Sequence, residues 1–233
     1  MTSYSLQSRR AGGLIFDELI IDEAGQLTIP IALMAMVTYK KVILAGDHKQ
    51  LPPIISENIE NNELHHSIFE HLVRPYNSVM LDVSFRMNDI ICSLVSDLFY
   101  EGKLQSYNGS ARLETTLSTP LYSKDNPLVL LDCPDNGKQA SKCEAEHAIK
   151  IIVTYIKNRI KPEDIAVLAP FRAQCALIRR LLMEHLTKDE RDKIIIDTVD
   201  RMQGQERQII VYSFTSGDVE YMKQMEDFLY SPN

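Results

Sequence analysis

The 233-residue chain predicts an α/β protein made of two parallel-sheet units. Three observations carry that expectation. Short apolar runs (Leu19 to Ile21, Val42 to Ala45, Ile165 to Ala169) each end in polar, glycine or proline residues, with a helix-length segment beyond. Helical-period stripes follow or lie between such runs: Ile90, Ile91, Leu94, Val95, Leu98 and Phe99 form one, and Ala145, Ala148, Ile149, Ile152, Ile156 and Ile160 another. From residue 128 onward the order β-α-β-α-β-loop-β is that of a mostly parallel sheet.

In chain order, residues 1–13 are polar and aperiodic, and Gly12-Gly13 predicts a loop feeding the strand at Leu19 to Ile21. Pro30 opens an almost wholly apolar helix to about Tyr39. The strand Lys41 to Ala45 follows, so two neighbouring parallel strands deliver their C-terminal ends to one crevice. Residues 56–63 predict a surface loop, and Ser67 with Glu70 has capping-box spacing for a short helix to Val73. Val79 to Val83 reads as a strand, and the stripe beginning at Ile90 as a helix closed by Gly102.

Residues 105–126 are rich in Ser, Thr, Asn and Tyr, so the expected division is a first domain at 1–110, a connection at 111–127 and a second domain at 128–233. In the second domain a strand is expected at Leu128 to Asp132. A helix capped by Ser141 and Glu144 should run to Ile160, and a turn at Lys161 to Asp164 leads into the strand Ile165 to Ala169. A helix from Arg172 to about Leu186 follows, then strands at Lys193 to Asp197 and Gln208 to Phe214.

Composition excludes several classes. Apolar content of 45% and charged content of 24% suit a globular chain, and no run of about 18 apolar residues argues for a membrane span. No secretory signal precedes residue 10. A net charge of −7 counts modestly against wrapping duplex DNA, while leaving room for a single strand held in a narrow channel. Cys92, Cys133, Cys143 and Cys175 are far apart in sequence, and His65, His66, His71, His147 and His185 show no ligand spacing with them. The expectation is reduced thiols in the cytoplasm or nucleus, with no metal role for these residues.

The stretch that organises the chain is FDELIIDEAGQLTIP, residues 16–30. A strand running into Asp22 and Glu23 is how an α/β sheet puts acids at its edge. Alone, such a pair is more often the polar end of a strand. KVILAGDHKQLPP, residues 41–53, changes the balance. DEAGQ followed by LAGDHKQLPP resembles motifs II and III of superfamily 1 helicases, in the branch of the nonsense-mediated-decay helicase and its DNA and RNA relatives.

That resemblance implies two incomplete RecA-like units of the P-loop NTPase type, with ATP and Mg²⁺ as cofactors and single-stranded RNA or DNA as partner. It implies that Asp22 binds Mg²⁺, that Glu23 activates water, and that Gln50 senses the γ-phosphate. VSFRMND, residues 83–89, resembles motif IV, in which Arg86 reaches the γ-phosphate and Phe85, standing where Tyr is usual, stacks on adenine. The bland alternative for Arg86 is an ion pair with a surface acid such as Asp89. LFYEGKLQS, residues 98–106, is a further hallmark. DRMQGQER, residues 200–207, resembles motif V, where Gly204 allows close backbone approach and Glu206 accepts from a ribose hydroxyl. Pro170, Arg172, Gln174 and Thr198 match positions along the bound strand, although a strand-to-helix junction with an arginine is common in ordinary α/β folds.

The phosphate loop G-x-x-x-x-G-K-[ST] does not occur among the nine glycines, and the family's last arginine motif is absent. The expectation is therefore an internal piece of such a helicase, inactive alone and needing the remaining segments or a protein partner. The rival expectation is a non-enzymatic remnant that binds nucleic acid or protein, against which the retention of Asp22, Glu23, Gln50, Arg86 and Glu206 speaks. An unrelated α/β hydrolase would need a nucleophile elbow G-x-S-x-G, which the sequence lacks.

Overall fold

The computed structural model describes residues 17–36, 39–53, 66–74, 77–107, 118–119, 122–123, 126–135 and 137–229. The loops expected at 1–13 and 56–63 lie outside the described residues, as does most of the expected connection. The chain divides into two compact units, residues 1–80 and 81–232.

In the first unit β1 (Glu18–Ile21) and β2 (Lys41–Leu44) pair in parallel, from Glu18 opposite Lys41 to Ile21 opposite Leu44. Helix α1 (Ile29–Met36) carries Pro30 in its first turn, where a missing N–H costs no helical bond. Helix α2 (Ile68–Leu72) starts where Ser67 accepts from the backbone N–H groups of Phe69 (3.1 Å) and Glu70 (3.3 Å), as the capping spacing predicts. Ile21, Ala24, Ile29, Ala32 and Ile68 form the small core.

The second unit begins with β3 (Val83–Ser84), α3 (Asp89–Phe99) and β4 (Gln105–Ser106), β3 and β4 pairing in parallel. Asn88 caps α3 by accepting from Ile91 N–H at 3.0 Å. The chain leaves the helix at Gly102, whose φ of +73° lets its N–H reach the Ser96 carbonyl at 3.0 Å. β5 (Ser118–Thr119) and β6 (Tyr122–Ser123) form a small antiparallel pair.

The main layer follows: α4 (Lys142–Lys157), β7 (Ile165–Ala169), α5 (Arg172–Leu182), α6 (Lys188–Lys193), β8 (Ile195–Thr198), α7 (Val199–Met202), β9 (Ile209–Tyr212), α8 (Val219–Gln224) and α9 (Glu226–Leu229). The sheet order is β8-β7-β9, parallel throughout. β7 is buried at all five positions, as a central strand covered on both faces must be. Ile149 and Ile152 of α4, Cys175, Ile178 and Leu182 of α5 and Ile165, Val167 and Ile196 of the sheet share one core. Ala166, Leu168 and Met202 line the opposite face.

Several expectations are corrected. The strand expected at Leu128 to Asp132 does not form, and Leu130 is 83% exposed. The strand expected at Val79 to Val83 shrinks to Val83–Ser84, with Val79 and Leu81 largely exposed. An apolar run is only half of a strand, because a ladder also needs a neighbour's N–H and C=O groups in register. Helix α6 occupies the residues before β8, and its signal was legible: Thr187 and Glu190 make a reciprocal capping box. α7 lies in the stretch expected as the loop between the last two strands, and α8 and α9 were not expected.

Candidate functional site

Parallel pairing places the C-terminal ends of β1 and β2 at the same edge of their sheet. Two backbone bonds extend that pairing past the strands: Ala45 N–H donates to Ile21 O (2.8 Å), and Ala24 N–H to Ala45 O (2.8 Å). The glycines then let the two loops touch. A Cβ on Gly25 would lie 2.6 Å from the Asp47 carbonyl oxygen, and one on Gly46 would lie 2.8 Å from Gly25 N. Neither loop tolerates a side chain there without moving the other.

Asp22 and Glu23 project from this locked backbone with exposed carboxylates. Glu23 adopts left-handed geometry (φ 52°, ψ 39°), which costs a non-glycine residue about 1–2 kcal/mol. Its N–H donates to Asp22 Oδ1 at 3.0 Å, and Gln26 Nε2 donates to its Oε2 at 3.1 Å. On the β2 side, Asp47 orders its own loop by accepting from Lys49 N–H and from Gln50 Nε2, both at 2.9 Å. An exposed carboxylate at a strand end, with one oxygen steadied by a backbone amide, fits Mg²⁺. That ion takes one or two carboxylates and completes its shell with water and phosphate oxygens.

In the second unit Phe85 and Arg86 occupy the turn between β3 and α3. Ser84 Oγ accepts from the N–H groups of Arg86 and Met87, both at 3.3 Å, and Ser106 Oγ donates to Met87 O at 2.7 Å. Arg86 Nε donates to Glu206 Oε2 at 2.6 Å, so the arginine does hold an acid, and that acid is Glu206. The two residues that the resemblance assigns to the nucleotide thus meet across 120 positions of sequence. Both side chains are about two-thirds exposed (63% and 66%), so the pair contributes at most about 1 kcal/mol to stability. Phe85 packs against Tyr107 with ring centroids 4.7 Å apart. Phe85, Arg86 and Glu206 are among the residues lining an open groove of about 2600 Å³. Gly204 has φ +77° and open space where a Cβ would stand, so its backbone angle, and no neighbour, selects glycine.

At the C-terminal edge of the main sheet, Ala169 pairs with Thr198, and Pro170 follows directly after that last pair. Arg172 opens α5 and is exposed. Thr198 is 9% exposed, and its N–H donates to Asp197 Oδ1 at 2.9 Å. Arg201 and Arg179 flank Asp197 at 3.6 and 3.9 Å. Gln174 is fully buried: its Oε1 accepts from Ser141 N–H (2.9 Å), and its Nε2 donates to Ser141 O (3.1 Å) and Ser213 Oγ (2.9 Å). Glu144 completes this network, accepting from Ser213 Oγ (2.5 Å) and Thr215 N–H (3.0 Å), so only the Ser141 half of the expected capping box forms. Local spacing revealed the caps, but Ser213 and Thr215 carried no signal of their own.

Comparison with known proteins gives the family. Models described as AAA domain match residues 64–229 and residues 1–58. The chain belongs to this AAA-domain family and, within it, to the superfamily 1 helicases. Among its relatives, the DNA polymerase alpha-associated DNA helicase A of Schizosaccharomyces pombe is 32% identical over 94% of this chain and 35% of its own length. The DNA replication ATP-dependent helicase/nuclease of Mus musculus is 30% identical over 85% of this chain and 21% of its own. A 3'-5' exoribonuclease of Mus musculus is 33% identical over 84% of this chain and 7% of its own. The chain therefore spans about a third or less of the length of these relatives. No helix among the described residues is long and apolar enough to cross a membrane.

Proposed function

We propose that this chain contributes the water-activating part of an ATP site, and part of a single-strand track, to an ATP-dependent helicase or translocase. The observation that supports it most is the glycine-locked edge of the first unit, which holds Asp22, Glu23 and Gln50 on two adjoining loops. Asp22 would hold Mg²⁺ through a hard carboxylate oxygen, and the ion would neutralise phosphate charge there. Glu23 orients the attacking water and takes its proton. Gln50, steadied by Asp47, reports on the γ-phosphate. Arg86 exchanges the Glu206 carboxylate for the transferring phosphoryl oxygens, a swap suited to a planar fork of donors. Phe85 offers a stacking face for adenine, and Gly204 and Glu206 the ribose contacts.

Pro170, Arg172 and Thr198 lie at the C-terminal end of the main sheet, along which the single strand would run, and Gln174 ties the start of α5 to Ser141 and Ser213 there. The relatives' names include a DNA helicase and an exoribonuclease, so both DNA and RNA belong in the test. Division at residues 111–127 and a cytoplasmic or nuclear location are parts of the same proposal.

The test joins a segment carrying the phosphate loop G-x-x-x-x-G-K-[ST] upstream of this chain and measures ATP turnover with and without single-stranded RNA or DNA. Stimulated turnover that Glu23→Gln abolishes, with nucleotide binding retained, is the expected result. Turnover unchanged by Glu23→Gln would remove this edge from the chemistry.

A further inference from the structure

Separated by ten and four positions, Cys133, Cys143 and His147 show no ligand spacing in the sequence, yet the fold collects them. Cys143 and His147 lie one helical turn apart at the start of α4, so both project from the same face. The segment before α4 brings Cys133 to that face. Cys133 Sγ lies 3.4 Å from His147 Nδ1, and Cys143 Sγ lies 3.8 Å from it. The Cys143 carbonyl oxygen is 2.9 Å from the same nitrogen.

One ring nitrogen is thus surrounded by two sulfurs and a carbonyl oxygen, and a single N–H proton satisfies only one of them well. A cation held by Nδ1 and the two sulfurs would replace the bond to the carbonyl, with the ring proton carried on Nε2. Zinc bonds of about 2.3 Å to sulfur and about 2.05 Å to nitrogen, set at tetrahedral angles, put sulfur and nitrogen about 3.6 Å apart. The observed 3.4 and 3.8 Å fall on either side of that value, and the three donor atoms lie within 4.8 Å of one another.

We propose that Cys133, Cys143 and His147 bind a thiophilic divalent cation, Zn²⁺ being the best match. Two sulfurs and an imidazole select it over Mg²⁺ or Ca²⁺, which take oxygen ligands. Both cysteines are half-buried and His147 is exposed, so the site opens to solvent on one side and leaves a fourth position for water. Binding displaces the two thiol protons into solution. The ion would clip residues 127–135, which make no strand pairing, to the first turn of α4.

The test titrates Co²⁺ into the reduced full chain and follows the thiolate-to-cobalt charge-transfer band and the visible bands of a tetrahedral site. Displacement by Zn²⁺ gives the relative affinity. One equivalent should bind, Cys133→Ser and Cys143→Ser should each abolish the charge-transfer band or reduce it to that of a single thiolate, and His147→Ala should weaken binding at least tenfold. Melting temperature should rise with Zn²⁺ in the parent chain and not in the variants, because an ion that binds only the folded state stabilises it. No thiolate band, or a band unaltered by both serine substitutions, would overturn the proposal. So would a chain that takes up no ion when reduced and merely closes a Cys133–Cys143 disulfide in air.

Discussion

The two sheet edges of this protein present polar residues in the same way but are held in place by opposite means. In the main sheet of the second unit, β7 is buried at every position, and a polar network of Ser141, Glu144, Gln174 and Ser213 lies over the core beside its C-terminal end. In the first unit, Ile20 of β1 is 66% exposed and Ile43 of β2 is 40% exposed, so there is little core to set the edge. Backbone contact sets it instead, through two hydrogen bonds and two glycines that admit no Cβ. A chemically demanding geometry can therefore be fixed locally even where the surrounding layer contributes little stability.

The largest effect expected from this contrast concerns Arg86, which is exposed, cheap in stability and central in the proposed chemistry. In the joined protein described above, Arg86→Ala should lower kcat by about 10³-fold while changing nucleotide affinity far less. Arg86→Lys should rescue poorly, because a point charge does not reproduce the fork. Both variants should lose no more than about 1 kcal/mol in denaturant unfolding. Near-normal kcat in both would reduce the Arg86–Glu206 contact to a surface ion pair.

The core side of the comparison is tested by Ile152→Ala against Ile20→Ala in the chain itself. Ile152, wholly buried, should cost about 2–5 kcal/mol, and Ile20 under about 0.5 kcal/mol, as read from urea unfolding midpoints. Equal costs would show that Ile20 is covered in solution. Sedimentation would then reveal the second copy or other partner that the exposed Ile20, Val79 and Leu81 invite.

A finer contrast lies between two glycines. Gly25→Ala forces Asp47 O away from 2.6 Å and should cost about 1–3 kcal/mol together with a loss of turnover. Gly204→Ala meets no neighbour and should cost about 1 kcal/mol, from its positive φ alone. If Gly204→Ala proved the more damaging for turnover, a ligand approaching that backbone would be the cause.

The smallest effect is local and pH-dependent. Hydrogen bonds from Thr187 hold the Glu190 carboxyl below its ordinary value. A depressed folded-state value means that the contribution is complete above the unfolded-state value and is lost as pH falls through the folded one. Amide exchange in α6 should therefore quicken as pH falls through the acidic carboxylate range, after allowance for intrinsic rates, while β7 stays protected. In Thr187→Ala that pH dependence should weaken, because the hydroxyl is lost while the backbone N–H still donates to Glu190. An unchanged profile in the variant would detach Glu190 from the cap.

Interactions spanning a few residues were legible in the sequence. Ser67 and Gly102, read as helix ends from the sequence, and Asn88 and Thr187, which were not, all act through bonds to residues two to six positions away, so the chain needs no fold to express them. The two apolar strands ending in acids likewise declare a parallel edge, and the pairing of Glu18 with Lys41 through Ile21 with Leu44 follows it. Only the tertiary structure decided which runs found a neighbour. Ile165–Ala169 became a central strand, whereas the similarly apolar Leu128 to Leu131 made no ladder and left Leu130 in solvent. It also decided that Arg86 reaches Glu206, that Gln174 turns inward to Ser141 and Ser213, and that two cysteines and a histidine share one point. Most of these contacts close loops of ten to 120 residues, and their partners are chosen by the packing of whole layers, which no local pattern of residues encodes.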